Sequence, residues 1–384
     1  RMLLVKALRP LWPGVALSPL APAQLRTLPD PPLPGPRWVR VRNRLSGICG
    51  TDLALLFVRA DLGVAPAALP GTDRMYLGHE ALGEVVEVGP GVTRLRVGER
   101  VIIDAEAANC FTREISPPCR QCQAGNTLLC ENASVDRGAL GVGGGWGDRF
   151  TAHETALYSV LDALDDEMAV LIEPLAVSVR AALRRLPQAG ERALIVGSGM
   201  VGLGLVAALR ALAPGCHITA MARYPHQAAM AGQLGADEVI GREDLYAAVA
   251  RLTGGHLYTG AFGNRTVVGG FDVVYDCVGS GRTVTDSLRW ARAGGTVVLV
   301  GANLEPLRRV DLTPVWYQEV DLVGLYAHGS EDWEGQRVST YDLTARLLLE
   351  GCLNPAGLVT QRFPLEAWRI AVRTAADKRS GAIK

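Results

Sequence analysis

The run Leu194-Ile195-Val196-Gly197-Ser198-Gly199-Met200-Val201-Gly202 constrains this chain more than any other segment. A compact apolar strand enters a G-x-G-x-x-G turn and leaves as an apolar helix. In such a turn the first glycine permits the tight bend, the second lets a pyrophosphate approach the backbone, and the third lets helix and strand pack closely. Free N–H groups and partial positive charge at the helix start suit phosphate. Alone the pattern is weak, but here it sits among further apolar runs, His217 to Ala222, Phe271 to Asp276 and Thr296 to Val300, alternating with helical stretches. That alternation predicts a doubly wound α/β unit around a parallel sheet. Ser198, Met200 and Val201 join the three glycines as expected dinucleotide contacts, with Val278 and Gly301 beyond later strands.

The end of the next strand bears on which dinucleotide. An Asp or Glu about 20 residues past the turn would bind the ribose 2′-hydroxyl of NAD. This chain has Ala222 there, followed by Arg223 and Tyr224. A small residue removes the carboxylate that would repel a 2′-phosphate, and the neighbouring guanidinium can pair with one. NADP is therefore favoured over NAD, the alternative being an ordinary exposed turn arginine in an NAD-using protein.

With 384 residues and 48% hydrophobic content the chain is long enough for two packed domains. Lys plus Arg and Asp plus Glu balance at 39 each, which leaves no overall field for nucleic acid, an anionic membrane or an acidic partner. Small-molecule ligands are expected. Lysine occurs only at Lys6, Lys378 and Lys384, which codon bias explains without a thermal adaptation. The apolar run Met2 to Val5 is broken by Lys6 and Arg9 and is too short for a secretory core, so a cytoplasmic location is expected. The uncharged run Ala193 to Leu209 carries four glycines and falls short of a span. In a reducing compartment the eight cysteines suit ligands or core thiols better than disulfides.

From about Met2 to Val170 short β-type segments alternate with glycine and proline: Trp38 to Arg42, Ala81 to Val88, Arg100 to Ile103 and Asp148 to His153. Within this half lie three chemically suggestive segments. Cys49 stands in Gly47-Ile48-Cys49-Gly50-Thr51-Asp52, His79 in Gly78-His79-Glu80 followed by Gly83, Gly89 and Val92, and Glu173 in Leu171-Ile172-Glu173-Pro174-Leu175-Ala176. These segments resemble the zinc-containing medium-chain dehydrogenases. The match to G-H-E-x2-G-x5-G-x2-V is complete, and the Cys-Gly-Thr-Asp and Glu-Pro-Leu segments look like the sorbitol, threonine and glucose dehydrogenase branch. The resemblance covers nearly the whole chain.

It implies a GroES-like β-rich catalytic domain at 1–176, a Rossmann cofactor domain at 177–325, and a C-terminal return to the first domain at 326–384. It further implies a catalytic zinc held by Cys49, His79 and either Glu80 or Glu173, a ligand set that suits zinc with an open fourth position. Thr51 would stand beside the substrate oxygen and pass its proton on, with Asp52 orienting His79. Many relatives carry a relay histidine where this chain has Ala54, so the proton would leave through the cofactor ribose, Glu80 or water. Cys119-x2-Cys122-x7-Cys130 resembles three of the four cysteines of the family's structural-zinc lobe, placed at about 105–135. Cys110 looping back past Pro117 and Pro118 would complete four thiolates, and a metal-free remnant is the alternative.

The expected activity is hydride transfer between NADP(H) and a small alcohol, polyol, sugar or its carbonyl form. A zinc-independent enoyl or quinone reductase and a non-enzymatic nucleotide-binding protein are the competing readings. Arg180 stands where relatives often have histidine. The stretch from Val58 to Arg74 is expected to border the active-site mouth, with a surface loop of no substrate role as an equal alternative, and Trp316 and Tyr317 are expected in the core, with the pocket or a subunit contact as alternatives. A homodimer or homotetramer is expected from the family.

Overall fold

The computed structural model of the protein describes residues 2–59, 61, 76–104, 109–132 and 141–384. In the first half, β1 (Trp38–Ser46), β2 (Ala81–Val88), β3 (Arg100–Ile103), β4 (Arg149–His153) and β5 (Leu157–Ser159) form an antiparallel sheet ordered β4-β1-β2-β3-β5. Alternating side chains face inward, so Val39, Val41, Val85, Val101 and Phe150 meet in one buried cluster.

The second half builds a parallel sheet from β6 (Arg192–Val196), β7 (His217–Met221), β8 (Glu238–Ile240), β11 (Phe271–Asp276), β12 (Ala291–Leu299) and β13 (Asp321–Gly324). Between β8 and β11 comes a separate hairpin, β9 (His256–Thr259) with β10 (Arg265–Val268). The sheet order β13-β12-β11-β6-β7-β8 reverses direction between β6 and β11. That switch point is where open α/β sheets take their ligands. After the exposed Arg192, β6 is apolar because both faces are covered: Ala193 to Val196 are 0–1% exposed.

The helix Ile172–Arg184 joins the two halves. It packs on the helix Met200–Leu212, and Ser178 Oγ donates to the Val201 carbonyl at 3.0 Å. Leu82 and Ile102 of the antiparallel sheet share a cluster with Leu175, Val179, Ile195 and Leu203. The tail returns to the first half. The helix Thr340–Leu349 packs against Ile172–Arg184, and Trp368 and Val372 of the helix Trp368–Ala376 pack with Val5, Val15, Leu53 and Leu56.

Three elements depart from the sequence expectations. Met2–Leu8 is a helix inside a region read as β-type, stabilised by Val5 in the Trp368 cluster. The β9–β10 hairpin had no counterpart in the reading. Trp316 and Tyr317 are not core: they are 82% and 48% exposed, on a short helix Thr313–Tyr317 before the edge strand β13.

Candidate metal centre and cofactor cleft

Cys49 caps the helix Gly50–Leu56, and Asp52 at its third position accepts the Cys49 N–H at 3.0 Å. The other oxygen of Asp52 accepts the Gly78 N–H at 3.1 Å and lies 3.3 Å from His79 Nδ1. One carboxylate, 1% exposed, thereby fixes the turn bearing Cys49, the turn bearing His79 and the imidazole itself. Cys49, His79 and Glu80 present Sγ, ring nitrogen and carboxylate oxygen all within 4.8 Å of one another. Thr51 Oγ1 lies 3.8 Å from Cys49 Sγ. Glu173 lines the same cleft from the first turn of its helix but falls outside that 4.8 Å cluster.

Charge at the cluster is balanced by a residue far away in sequence. Lys384 Nζ rests on Glu80 Oε2, with side-chain exposures of 5% and 2%. Burial lowers the Lys384 pKa to about 8, against the opposing pull of Cys49 and Asp52. Burial raises the Cys49 thiol, but His79 and then Lys384 outweigh it and bring it down to about 7. Burial also raises Asp52, and the contacts from His79, Cys49 and Gly78 leave it below its ordinary value. A thiol inclined to ionise, an oriented imidazole and a carboxylate form a donor set that fits a zinc ion.

The four cysteines Cys110, Cys119, Cys122 and Cys130 lie within 4.8 Å of one another. Cys110 does loop back: its Sγ is 3.6 Å from that of Cys130 and accepts the Cys119 N–H at 3.3 Å. The Cys122 backbone N–H leads the contacts that lower Cys119 to about 6, while burial pushes Cys122 up. Four sulfurs with N–H donors around them fit a closed tetrathiolate site. This lobe is tied to the cleft wall. Arg180, 4% exposed, donates to the carbonyls of Tyr326 and His328 at 2.9 and 2.7 Å, to Glu331 at 2.9 Å and to Asn126 at 3.3 Å.

At the sheet switch point Gly197 adopts φ +97°, and a Cβ on Gly202 would fall 1.9 Å from the Gly197 carbonyl oxygen. The turn is thus closed to larger residues at both places. Ser198 Oγ donates to the Met221 carbonyl at 2.9 Å, pinning the turn to β7. Val278 and Gly301 face it across the β11 and β12 ends, where Asp276 Oδ1 accepts the Val278 and Gly279 N–H groups and the Asp276 carbonyl accepts from Gly301. The turn, Arg223, Tyr224, Val278, Gly301, Cys49, Thr51, His79, Glu80 and Glu173 all line one continuous cleft. Of the stretch Val58 to Arg74, only Val58, Arg59 and Asp61 fall within the described residues.

Sequence reasoning missed Lys384 and Arg242. Arg242 follows β8 and lines the cleft beside Arg223, because Ala222 N–H bonds the Ile240 carbonyl at 2.9 Å and brings the two strand ends together. The available signal for Lys384 was lysine scarcity: all three lysines line this cleft.

A Rossmann sheet set beside a β-rich domain, with a Cys-His-Glu cluster in the cleft between them, defines a metal-dependent nicotinamide oxidoreductase scaffold. Family models agree: residues 35–162 match the alcohol dehydrogenase GroES-like domain and residues 202–339 the zinc-binding dehydrogenase domain. L-Idonate 5-dehydrogenase of Vitis vinifera is 30% identical over 86% of this chain and 81% of its own. D-Arabitol-phosphate dehydrogenase of Enterococcus avium is 27% identical over 87% and 85%. Among solved structures, a putative zinc-binding dehydrogenase from Sinorhizobium meliloti 1021 bound to NADP has 26% identity, TM-score 0.68 and 89% coverage of both chains. The 2R,3R-butanediol dehydrogenase of Bacillus subtilis shares the fold at 24% identity and TM-score 0.72, over 93% and 94%. The chain belongs to the zinc-containing medium-chain dehydrogenase family and is an oxidoreductase of the alcohol and polyol dehydrogenase type. Among the described residues no helix is long and apolar enough to cross a membrane.

Proposed function

We propose that this protein transfers hydride between NADP(H) and the carbinol or carbonyl carbon of a polyol or sugar-derived substrate, at a zinc centre built on Cys49 and His79 with Glu80 or Glu173 as the carboxylate. The observation that carries this is the mutual 4.8 Å clustering of Cys49, His79 and Glu80 in the cleft that also holds the Gly197 turn. A zinc ion held there supplies Lewis acidity to the substrate oxygen. Thr51 Oγ1, beside Cys49 Sγ, takes the substrate proton, and Asp52 keeps His79 in one orientation. Relatives named for idonate, arabitol phosphate and sorbitol support the polyol class.

Two arginines support the NADP preference. Arg223 and Arg242 line the cleft at adjacent strand ends, and Glu243 and Asp244 nearby are engaged by the Gly241 N–H and by Arg265. The four-cysteine lobe is the structural zinc site. A homodimer or homotetramer formed through the exposed edge around β13, with Trp316 and Tyr317, suits their exposure.

The test is Cys49→Ala. The variant should keep its circular dichroism spectrum, bind one zinc fewer per chain and lose NADPH-linked carbonyl reduction across a polyol and ketose panel. Turnover persisting in a verified single-zinc variant would refute the reading.

A further inference from the structure

Arg180 stands behind the cleft wall, outside the lining and 4% exposed, and each of its guanidinium nitrogens is engaged. Nε donates to Glu331 at 2.9 Å. Nη2 donates to Asn126 Oδ1 of the four-cysteine lobe at 3.3 Å, and Nη1 donates to two backbone carbonyls, those of Tyr326 at 2.9 Å and His328 at 2.7 Å. Between those carbonyls lies Ala327, whose φ is +51°. A residue with a Cβ rarely adopts that left-handed conformation, which persists where the surroundings over-determine it. One nitrogen fixing the carbonyl on either side of Ala327 is such a constraint.

The segment so held belongs to the cleft: Leu325, Tyr326 and Ala327 line it directly after β13. His328, 6% exposed, anchors its far end. The His328 imidazole packs edge-on against Tyr341, with ring centroids 4.5 Å apart, and its Nδ1 lies 3.6 Å from Asp104 Oδ1. Tyr341 in turn donates its hydroxyl to the Ile103 carbonyl at 2.7 Å. The pairing of Leu82 with Ile102 sets this end of β3 beside the start of β2, which follows Glu80 directly, so the wall is anchored at the metal end of the cleft. The lobe closes the other flank. Asn126, 9% exposed, accepts the Ser330 N–H at 3.1 Å on the same oxygen that takes Arg180, and Ser330 Oγ donates to the Gly125 carbonyl at 3.3 Å. Arg180 also shares a helix face with Glu173, seven residues and about 10 Å along the helix Ile172–Arg184.

We propose that Arg180, together with Asn126, is a positioning residue for substrate: it holds Tyr326 and Ala327 as the wall along which the polyol chain is aligned, and so makes the four-cysteine lobe part of substrate recognition. This rests on the dehydrogenase reading above. Arginine suits the task because its planar fork aims several donors in fixed directions, whereas lysine keeps the charge on a single nitrogen. Without the fork, Ala327 relaxes out of its left-handed backbone and the Tyr326 ring moves with it. Substrate binding then weakens, while metal and dinucleotide stay where they are.

The experiment compares zinc-loaded Arg180→Met, Arg180→Lys, Asn126→Ala and Asn126→Asp with the parent. In the methionine variant Glu331 retains Arg184 at 3.6 Å, so its charge is not left alone, and Asn126→Asp keeps the accepting oxygen. With D-sorbitol as substrate at saturating NADP, Arg180→Met and Asn126→Ala should each raise KM about fivefold or more, with kcat, the KM for NADP and zinc content within about twofold of the parent. Arg180→Lys should restore part of the affinity, and Asn126→Asp most of it. Amide hydrogen exchange across Leu325 to Ser330 should quicken in the same order. An unchanged sorbitol KM, a KM for NADP that rises as far as that for sorbitol, or unaltered exchange in this segment overturns the clamp. If Arg180→Met does not fold, the two Asn126 variants decide by the same criteria. Should the parent oxidise neither sorbitol nor any other polyol, the dehydrogenase reading fails separately. The clamp is then judged by exchange alone, and equal rates in the parent and its variants refute it.

Discussion

Lys384 Nζ meets Glu80 Oε2 across 304 residues of sequence, and both groups are nearly sealed from solvent. A carboxylate beside a metal-binding thiol and imidazole would be costly to bury alone, and the ammonium offsets its charge. The same oxygen cannot be given wholly to a metal while the ammonium holds it. With a metal at the proposed centre, Glu80 would answer to two cations, one fixed by the chain and one that comes and goes.

Removing the fixed cation should expose that arrangement. Lys384→Met leaves Glu80 buried and unpaired, a defect that typically costs about 3–5 kcal/mol. Denaturant unfolding with chelator present should show the loss in full, and excess zinc should recover part of it. Identical losses with and without zinc would mean that Glu80 does not face the metal.

Asp52 holds both ligand turns, so Asp52→Ala should weaken zinc at the Cys49 centre by about 10–100-fold, measured by competition with a chelating dye. Asp52→Asn can still accept but can no longer draw a proton-bearing Nδ1 by charge, and should fall between the two. Unchanged zinc affinity in the alanine variant would remove Asp52 from its orienting role.

At the cofactor end, Arg223→Ala should raise KM for NADPH roughly tenfold while sparing NADH, as expected for loss of a charge-assisted contact. Arg242→Ala should act in the same direction. Equal effects on both cofactors would contradict the NADP assignment.

The β-rich half should carry its own acid lability. Glu154 is fully buried and accepts the Thr93 and Arg94 N–H groups at 2.9 Å and Arg37 Nε at 2.8 Å. Burial raises its pKa, but these donors outweigh burial and leave it below the ordinary glutamate value. Its stabilisation is therefore present above an unfolded pKa of about 4.3 and disappears as pH falls through the lower folded value. Glu154→Gln should flatten the acid limb of a Tm-against-pH curve. A limb of unaltered steepness would assign acid unfolding to other carboxylates.

Cys110→Ser should remove zinc from the lobe and lower Tm, with the lobe loosening before the Rossmann sheet, as hydrogen exchange at Cys122 to Leu129 would show. Equal zinc content and Tm in the variant would mark the four-sulfur cluster as metal-free.

Much of this was legible because the signals are local. The Gly197 turn, the Gly78-His79-Glu80 segment and the doubly buried runs of β6, β11 and β12 each put their chemistry within a few neighbouring residues. Cys110 was also within reach, since its loop closes over a short span. Lys384 was not, because nothing in its own neighbourhood announces a partner 304 residues away. Arg242 depends on two strand ends lying side by side, a tertiary fact. The β9–β10 hairpin hid for another reason: it buries little beyond Val267 and half of Leu257, so its pattern barely alternates. Trp316 shows that an aromatic residue reports bulk, not location.

Because the buried Asp52 ties the two ligand-bearing turns to each other, cleft-lining residues that touch neither turn are not needed to hold them together. Drift at such positions can then redirect which molecules are accepted while the reactive core stays intact, so new specificities are reachable by single surface changes rather than by rebuilding the catalyst.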